Sequence, residues 1–157
     1  MSTSETGDLP ISELLTRPAE EFGNDPQIEA AWLSTAVRHM ETYYKLITSV
    51  SDVKDIKLTS NDDLIYDTFN ERFSDLNIEC LTEDSIKSTE AKTKWRQFCM
   101  DMENNIQDYN FATLLRLNCR LNYDESNTII VPRAQFIAIE IARNRKGLNV
   151  NLPPPSE

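Results

Sequence analysis

Apolar residues recur every three or four positions along the first long stretch of the chain, the spacing that one face of an α-helix requires. Pro26 suits a first helical turn, where its missing N–H costs nothing, and Asp25 can cap the helix. The pattern predicts a helix over residues 26–50. Its expected buried stripe comprises Ile28, Trp32, Ala36, Met40, Tyr43, Ile47 and Val50.

Two further segments show the same helical spacing. The first, residues 61–75, begins at Ser60 or Asn61 as a cap and carries two acidic residues in its first turn, which favour a helix N-terminus. The second, residues 89–107, begins after a Ser or Thr cap, and a short helical turn is expected before it. The expected buried residues are Ile65, Phe69, Phe73 and Leu76 in the first, and Ala91, Trp95, Phe98, Cys99, Met102, Ile106 and Tyr109 in the second.

The most apolar run, "FIAIEIARNRKG", fits two periods. Period two would place alternate isoleucines on one face of a strand, whereas period 3.6 would place them on a buried helix. Pro132 lacks a ladder donor and suits a first helical turn, and the run is long for a strand. Basic residues followed by Gly147 are typical of a helix C-terminus. We predict a buried helix over residues 132–146.

A different period appears in "TLLRLNCRL", where Leu115, Leu117, Cys119 and Leu121 alternate with polar residues. Alternation predicts a strand with one wet face, so Arg116 is expected to point to solvent. The β-branched "TIIV" after "NYDESN" predicts a second strand, and together they predict one hairpin. The expected fold class is mainly α, a compact orthogonal bundle of about four main helices with at most one small β-hairpin.

The stripes need one another as packing partners, which predicts a single helical domain over residues 18–147. A flexible lead over residues 1–17, with a possible helical turn at "PISELL", and a flexible proline-rich tail over residues 148–157 are expected to flank it. No apolar run approaches the ~20 residues of a membrane span, and we find no signal-peptide pattern. A cytosolic monomer is the expectation.

The net charge of −10 disfavours general affinity for nucleic acid or anionic membranes and favours a basic partner. The acidic residues concentrate in residues 1–35 and 61–90, and residues 111–157 are mildly basic. Three widely spaced cysteines and one histidine, His39, cannot form the paired ligands of a zinc site.

Three glycines are too few for a phosphate-binding or methyl-donor loop, and no nucleophile motif occurs. His39 and Cys99 are interpreted as packing residues, and the acidic cluster of Asp62, Asp63 and Asp67 as helix-terminal charge. We therefore expect a protein without catalytic residues, cofactor or metal.

Six segments occur in an order that resembles one known family. They are "FGNDPQIEAAW", "HMETYYKLITSV", "DDLIYDTFNERF", "KWRQFC", "YNFATLLRLNC" and "NTIIVPRAQFIAIEIARNRKG". Across residues 18–147 the chain resembles the polysaccharide biosynthesis domain-containing protein 1 family. The resemblance implies a small, mainly helical cytosolic protein. It also implies a chaperone that assists the newly made GTP-binding domain of translation elongation factor 1A on the ribosome. That client is basic, which suits an acidic binder.

Two other functions compete with the chaperone. A ribosome-associated adaptor would touch RNA, and it would need Arg116, Arg120, Arg143 and Arg145 to converge on one face. An enzyme of polysaccharide biosynthesis, as the family name suggests, would need the glycines and acid–base pairs that the chain lacks.

The family motif is carried over to residues at the start of the first long helix and around the hairpin. We expect Glu29, Arg116, Arg133 and Gln135 to be exposed and to contact the partner.

Overall fold

Five α-helices and a two-stranded sheet make up the part of the chain that the structure describes. A computed structural model describes residues 26–155, with side chains from Ala30 onward. The helices are α1 (Pro26–Ser49), α2 (Asp62–Arg72), α3 (Glu83–Lys87), α4 (Thr89–Asp101) and α5 (Arg133–Arg145), and the strands are β1 (Ala112–Arg116) and β2 (Thr128–Pro132). The mainly α fold with one small hairpin is confirmed. The expected cap Asp25 and the segment "PISELL" lie outside the described residues.

Helix α5 lies at the centre of the core, and every residue from 134 to 144 is buried. It packs against α2, α4 and both strands. The run that fitted two periods is therefore a helix, as predicted. A helix that is apolar nearly all round has to be covered on every side, which explains why both periods fitted its sequence.

The predicted stripes of the other helices form the walls around α5. Helix α1 packs on β1, and its Trp32 and Ala36 join Ala112 and Leu114 in a second apolar cluster. Between α2 and α4, Phe73 and Trp95 stack with ring centroids 3.9 Å apart. The buried faces agree with the predicted helical spacing.

Helix α4 ends at Asp101, short of the predicted end at residue 107. Beyond it the chain continues in tight turns, with Asn105 N donating to Met102 O at 2.9 Å. Met102 and Ile106 are nevertheless buried. Their apolar spacing continues through the turns, which is why the sequence predicted a longer helix.

The hairpin is displaced from its predicted position. Strand β1 covers Ala112–Arg116 and pairs antiparallel with β2, so that Ala112 opposes Pro132 and Arg116 opposes Thr128. All five residues of β1 are buried. The expected solvent-exposed face of the strand is therefore wrong. Beyond Arg116 the regular strand ends, and Asn118 forms an isolated antiparallel bridge with Cys80.

Local capping explains where two helices begin. Ser88 Oγ accepts a hydrogen bond from Ala91 N at 3.1 Å, as a Ser cap before α4 should. Asn61 occupies the cap position of α2 but makes no capping bond with its side chain. Instead Asp62 reaches back and accepts from the backbone N–H groups of Leu58 and Thr59 at 2.8 and 2.7 Å. The preceding loop is thereby tied to the helix.

Helix α5 ends in a glycine turn that returns the chain to the core. Gly147 has φ +73°, and the N–H groups of Gly147 and Leu148 donate to the carbonyls of Asn144 and Arg143. Asn149 is buried, and Tyr44 Oη donates to Pro153 O at 2.7 Å. The expected flexible tail from residue 148 is thus wrong for its first residues, which pack against the domain.

Candidate functional site

The four predicted contact residues have different surroundings. Arg116 is 0% exposed and Gln135 3% exposed, so the expectation that both are exposed is wrong. Arg133 is half-buried at the start of α5. Glu29 lies in the first turn of α1, and its side chain is outside the described part of the chain.

Arg133 also affects the only histidine of the sequence. His39 packs edge-on against Phe136 with ring centroids 5.5 Å apart. Burial first, and then the charge of Arg133, lower the pKa of His39 from its usual 6.5. The neutral imidazole is therefore favoured, and its contact with Phe136 agrees with the predicted packing role.

Glu140 is the centre of a buried polar cluster. Its Oε1 accepts hydrogen bonds from the Tyr43 hydroxyl at 2.7 Å and from Asn149 Nδ2 at 2.9 Å. Its Oε2 lies 2.9 Å from Arg143 Nη1, and its Oε1 lies 3.5 Å from Arg116 Nη2. The three charged side chains are completely buried. Burial of charges is tolerated only with this kind of pairing.

The two guanidinium groups also donate to backbone carbonyls, although Arg116 Nε has no acceptor within the described residues. Arg143 Nε donates to Ile78 O at 2.7 Å, and its Nη2 donates to Leu117 O at 3.0 Å. Arg116 Nη1 donates to Cys119 O at 2.8 Å. The cluster therefore fastens two irregular segments to α5, in addition to joining α1, β1 and the segment after α5.

The electrostatics of the cluster follow from this pairing. Burial alone would raise the pKa of Glu140, but the charges of Arg116 and Arg143 and the hydrogen bonds to Glu140 outweigh it, so the pKa is lowered. Burial and the neighbouring carboxylate raise the pKa of Tyr43 well above 10. Glu140 therefore stays ionised and Tyr43 stays protonated.

This arrangement stabilises the fold and offers nothing to a substrate. Its charged groups are fully buried, so an incoming molecule cannot reach them. Sequence analysis missed Glu140, although a single acid inside an apolar run, with Arg143 one helical turn later, was a usable signal.

The arginines do not form the RNA-binding face that a ribosomal adaptor would need. Arg116 and Arg143 are buried in the cluster. On the surface, Arg120 Nε pairs with Glu79 at 3.1 Å and Arg145 Nη2 pairs with Asp63 at 2.7 Å. The four arginines therefore do not meet the condition that the adaptor alternative requires, and the two exposed ones are paired with acids.

A groove of about 690 Å³ separates α3 and α4 from β2 and the start of α5. Its floor is apolar and its rim carries three cationic side chains, and no Asp or Glu is among its described lining residues. The rim consists of Lys87, Lys92 and Arg96. The apolar lining residues are Ile86, Trp95, Cys99, Tyr109 and Val131 on the floor, with the exposed Met100 and Ile130 at the edges.

Gln135 projects into this groove from the first turns of α5. Although the residue is only 3% exposed, its Nε2 has no hydrogen-bond acceptor within residues 26–155. Buried amides normally find a partner, because leaving one unpaired costs about 1–3 kcal/mol. This unpaired donor is therefore a feature for which the fold itself gives no reason.

The outer face of α2 has the opposite charge. Asp63, Asp67 and Glu71 are exposed there, and Leu64 between them is 48% exposed. Spacings of three, four and seven residues place Leu64, Asp67, Thr68 and Glu71 on one side of the helix. The result is an apolar side chain surrounded by carboxylates, named here the acidic α2 face.

Residues 26–155 contain neither a metal-binding cluster nor a membrane-spanning helix. No group of three or more His, Cys, Asp or Glu side chains there is arranged to hold a metal ion. None of the helices in that range combines the length and the apolar character needed to cross a bilayer.

The fold and the cluster define a class of small, mainly α proteins in which a charged centre joins the helices to one hairpin. The chain belongs to the PBDC1 protein family, whose sequence profile matches residues 28–152. It is 52% identical over 141 residues to Protein PBDC1 of Mus musculus, covering 90% of this chain and 71% of that protein. It is 51% identical over 139 residues to the Homo sapiens protein, covering 88% of this chain and 59% of that one.

A Saccharomyces cerevisiae protein gives the structural comparison. Its solution NMR structure matches with a TM-score of 0.73 and 43% identity, covering 85% of this chain and 94% of that one. The described chain thus shares its fold with an experimentally determined relative. It spans less than two thirds of the length of the human protein.

Proposed function

We propose that this protein is a non-enzymatic cytosolic chaperone that binds the GTP-binding domain of translation elongation factor 1A while that domain is being made. The family resemblance supplies the identity of the client. The observation in the structure that supports it best is the acidic α2 face, with Leu64 at its centre.

The acidic α2 face has the chemistry that such a client requires. An unfinished GTPase exposes mobile switch segments and part of its apolar core. Leu64 would cover apolar surface, and the surrounding carboxylates would attract a basic domain and speed its encounter. Association should therefore slow as salt rises, because ions screen charges beyond about 8–10 Å.

Catalysis finds less support than binding. Glu140, a fully buried acid with a lowered pKa, is sealed in the buried cluster and cannot reach a substrate. Partner contacts at Glu29 and Arg133 remain part of the proposal. Gln135 lines the cationic groove instead. Arg116 is fully buried, so we expect it to affect binding only through the stability of the fold.

The test is capture of ribosome-bound nascent chains that display the factor's GTP-binding domain, compared with an unrelated GTPase of similar size. We expect specific capture by the wild-type protein. The variant Asp67→Lys/Glu71→Lys should reduce it about tenfold, since two attractive charges become repulsive. A control with equal charge change, Glu103→Lys/Glu125→Lys, alters exposed residues elsewhere and should have little effect.

Equal capture of both GTPases would remove the specific-chaperone proposal. Equal loss in both double variants would show that overall charge, and not the acidic α2 face, determines binding.

A further inference from the structure

The groove between α4 and β2 differs in charge from the rest of the protein. The sequence contains 26 acidic and 16 basic residues, yet the groove has Lys87, Lys92 and Arg96 at its rim and no carboxylate among its described lining residues. None of the carboxylates whose side chains the structure describes forms an ion pair with any of the three, and all three cations are exposed. Their charge is available to a ligand.

Apolar surface extends from the groove onto its edges. Met100 is 56% exposed and Ile130 is 42% exposed, and they approach the groove from α4 and β2 respectively. Trp95 and Tyr109 also line the groove. Aromatic residues, Met and Arg are the types enriched where proteins bind proteins. The volume also lies within the roughly 300–1,000 Å³ usual for ligand clefts.

Gln135 supplies a hydrogen-bond donor that would fix the orientation of a ligand in the groove. Gln135 is one of the lining residues, and its buried Nε2 lacks an acceptor within the described chain, so a ligand oxygen that reached this nitrogen would satisfy it. A backbone carbonyl or a carboxylate would serve. With a single buried amide as its polar anchor, the site suits a peptide better than a cofactor, which usually meets several placed polar groups.

We propose that this groove binds an acidic peptide segment of a partner protein, with one large apolar side chain on the groove floor, flanking carboxylates at Lys92 and Arg96, and an oxygen on Gln135. The site goes beyond the elongation-factor proposal, because the client surface proposed above is acidic and this one is cationic. One molecule could then hold a basic client and an acidic partner at the same time.

The probe is the synthetic peptide acetyl-EDLFED-amide, titrated into the full chain by calorimetry. Two control peptides separate the contributions: acetyl-KKLFKK-amide reverses the charge, and acetyl-EDSSED-amide removes the apolar side chains. We expect binding of the first peptide only. Salt should weaken this binding, because the rim charges are exposed.

Two variants test the named residues. Lys92→Glu/Arg96→Glu should weaken binding about tenfold, whereas Lys45→Glu, an exposed cation on α1 outside the groove, should leave it unchanged. Gln135→Met keeps the length and removes the donors, and it should weaken binding about fivefold.

The same Gln135→Met variant should have an unchanged or higher Tm, because it removes a buried donor without a partner. A purely structural glutamine would instead give a lower Tm and unchanged affinity. The proposal is overturned if no peptide binds at millimolar concentration. It is also overturned if the basic or the apolar-free peptide binds as well as the probe, or if the groove variants match the control.

Discussion

Removing the charge of Glu140 tests the buried cluster most directly. Glu140→Gln keeps the shape of the side chain and leaves Arg116 and Arg143 fully buried without a carboxylate. Breaking a buried ion pair by removing one partner costs about 3–5 kcal/mol. For a chain of this size each kcal/mol corresponds to about 2–4 °C, so Tm should fall by about 6–20 °C. The loss reflects the uncompensated arginines more than the net contribution of the pair.

The matched control is Glu79→Gln. It removes the same charge from an ion pair with Arg120, but both of its side chains are about half exposed. Pairs in water contribute about 1 kcal/mol or less, so Tm should change by only a few degrees. Thermal and urea unfolding, followed by circular dichroism, measure both variants. Similar losses in the two would refute the argument that burial makes the Glu140 cluster critical.

The pH dependence of the free energy of unfolding gives a second test of Glu140, made by comparing wild type with Glu140→Gln. The folded pKa of Glu140 is lowered from its ordinary value of 4.5, so its ionised form stabilises the fold fully above that pH. The stabilisation disappears as the pH falls through the folded pKa. The difference in free energy of unfolding between wild type and Glu140→Gln should therefore be constant near neutrality and narrow below about pH 4.5. If the difference in free energy of unfolding grew as the pH fell, the conclusion that ionised Glu140 stabilises the fold would be contradicted.

Two further substitutions test local structure through their Tm values. Ser88→Ala removes the cap of α4 and should lower the free energy of unfolding by about 1 kcal/mol. Its control, Ser74→Ala in an exposed turn, should change that free energy by no more than about 0.5 kcal/mol. Gly147→Ala should lower the free energy of unfolding by about 1–2 kcal/mol, because Gly147 has a φ of +73°, which a residue with a Cβ adopts only under strain. Crowding does not contribute, since the added Cβ would lie at an ordinary contact distance of 3.6 Å from Lys54 Cε. The exposed neighbour Lys146→Ala is its control, and an equal loss there would remove the conformational explanation.

Local patterns were sufficient to predict that each long helix exists, although they extended α2 beyond Arg72 and α4 beyond Asp101. Helix formation depends on spacing, caps and breakers within a few residues of one another, and these are visible in the sequence. Pro132 and Gly147 therefore identified α5 in a run that also fitted a strand. Its start, predicted at residue 132, is Arg133 in the structure, and its end is Arg145 instead of residue 146.

Patterns of polarity were less reliable for Arg116. Alternation correctly suggested a strand, but it placed the arginine in solvent because charged side chains are usually there. The side chain is buried because Glu140, twenty-four residues later, and Asn149, thirty-three residues later, provide its partners. Pairing between residues so far apart in the chain cannot be recognised from the pattern of neighbouring residues in the sequence.

For the candidate binding groove as well, the sequence identified a residue and the tertiary structure identified its surroundings. Sequence identified Gln135 as a candidate contact, but only the tertiary structure placed it in a groove with Lys92 and Arg96. The three side chains come from two helices separated by the whole hairpin. Sequence by itself determined the helices and the acidic character of the chain, because both depend on residue type and near neighbours. Which charges are buried, and which converge on a binding surface, was decided by tertiary packing, because it depends on contacts between residues far apart in the chain.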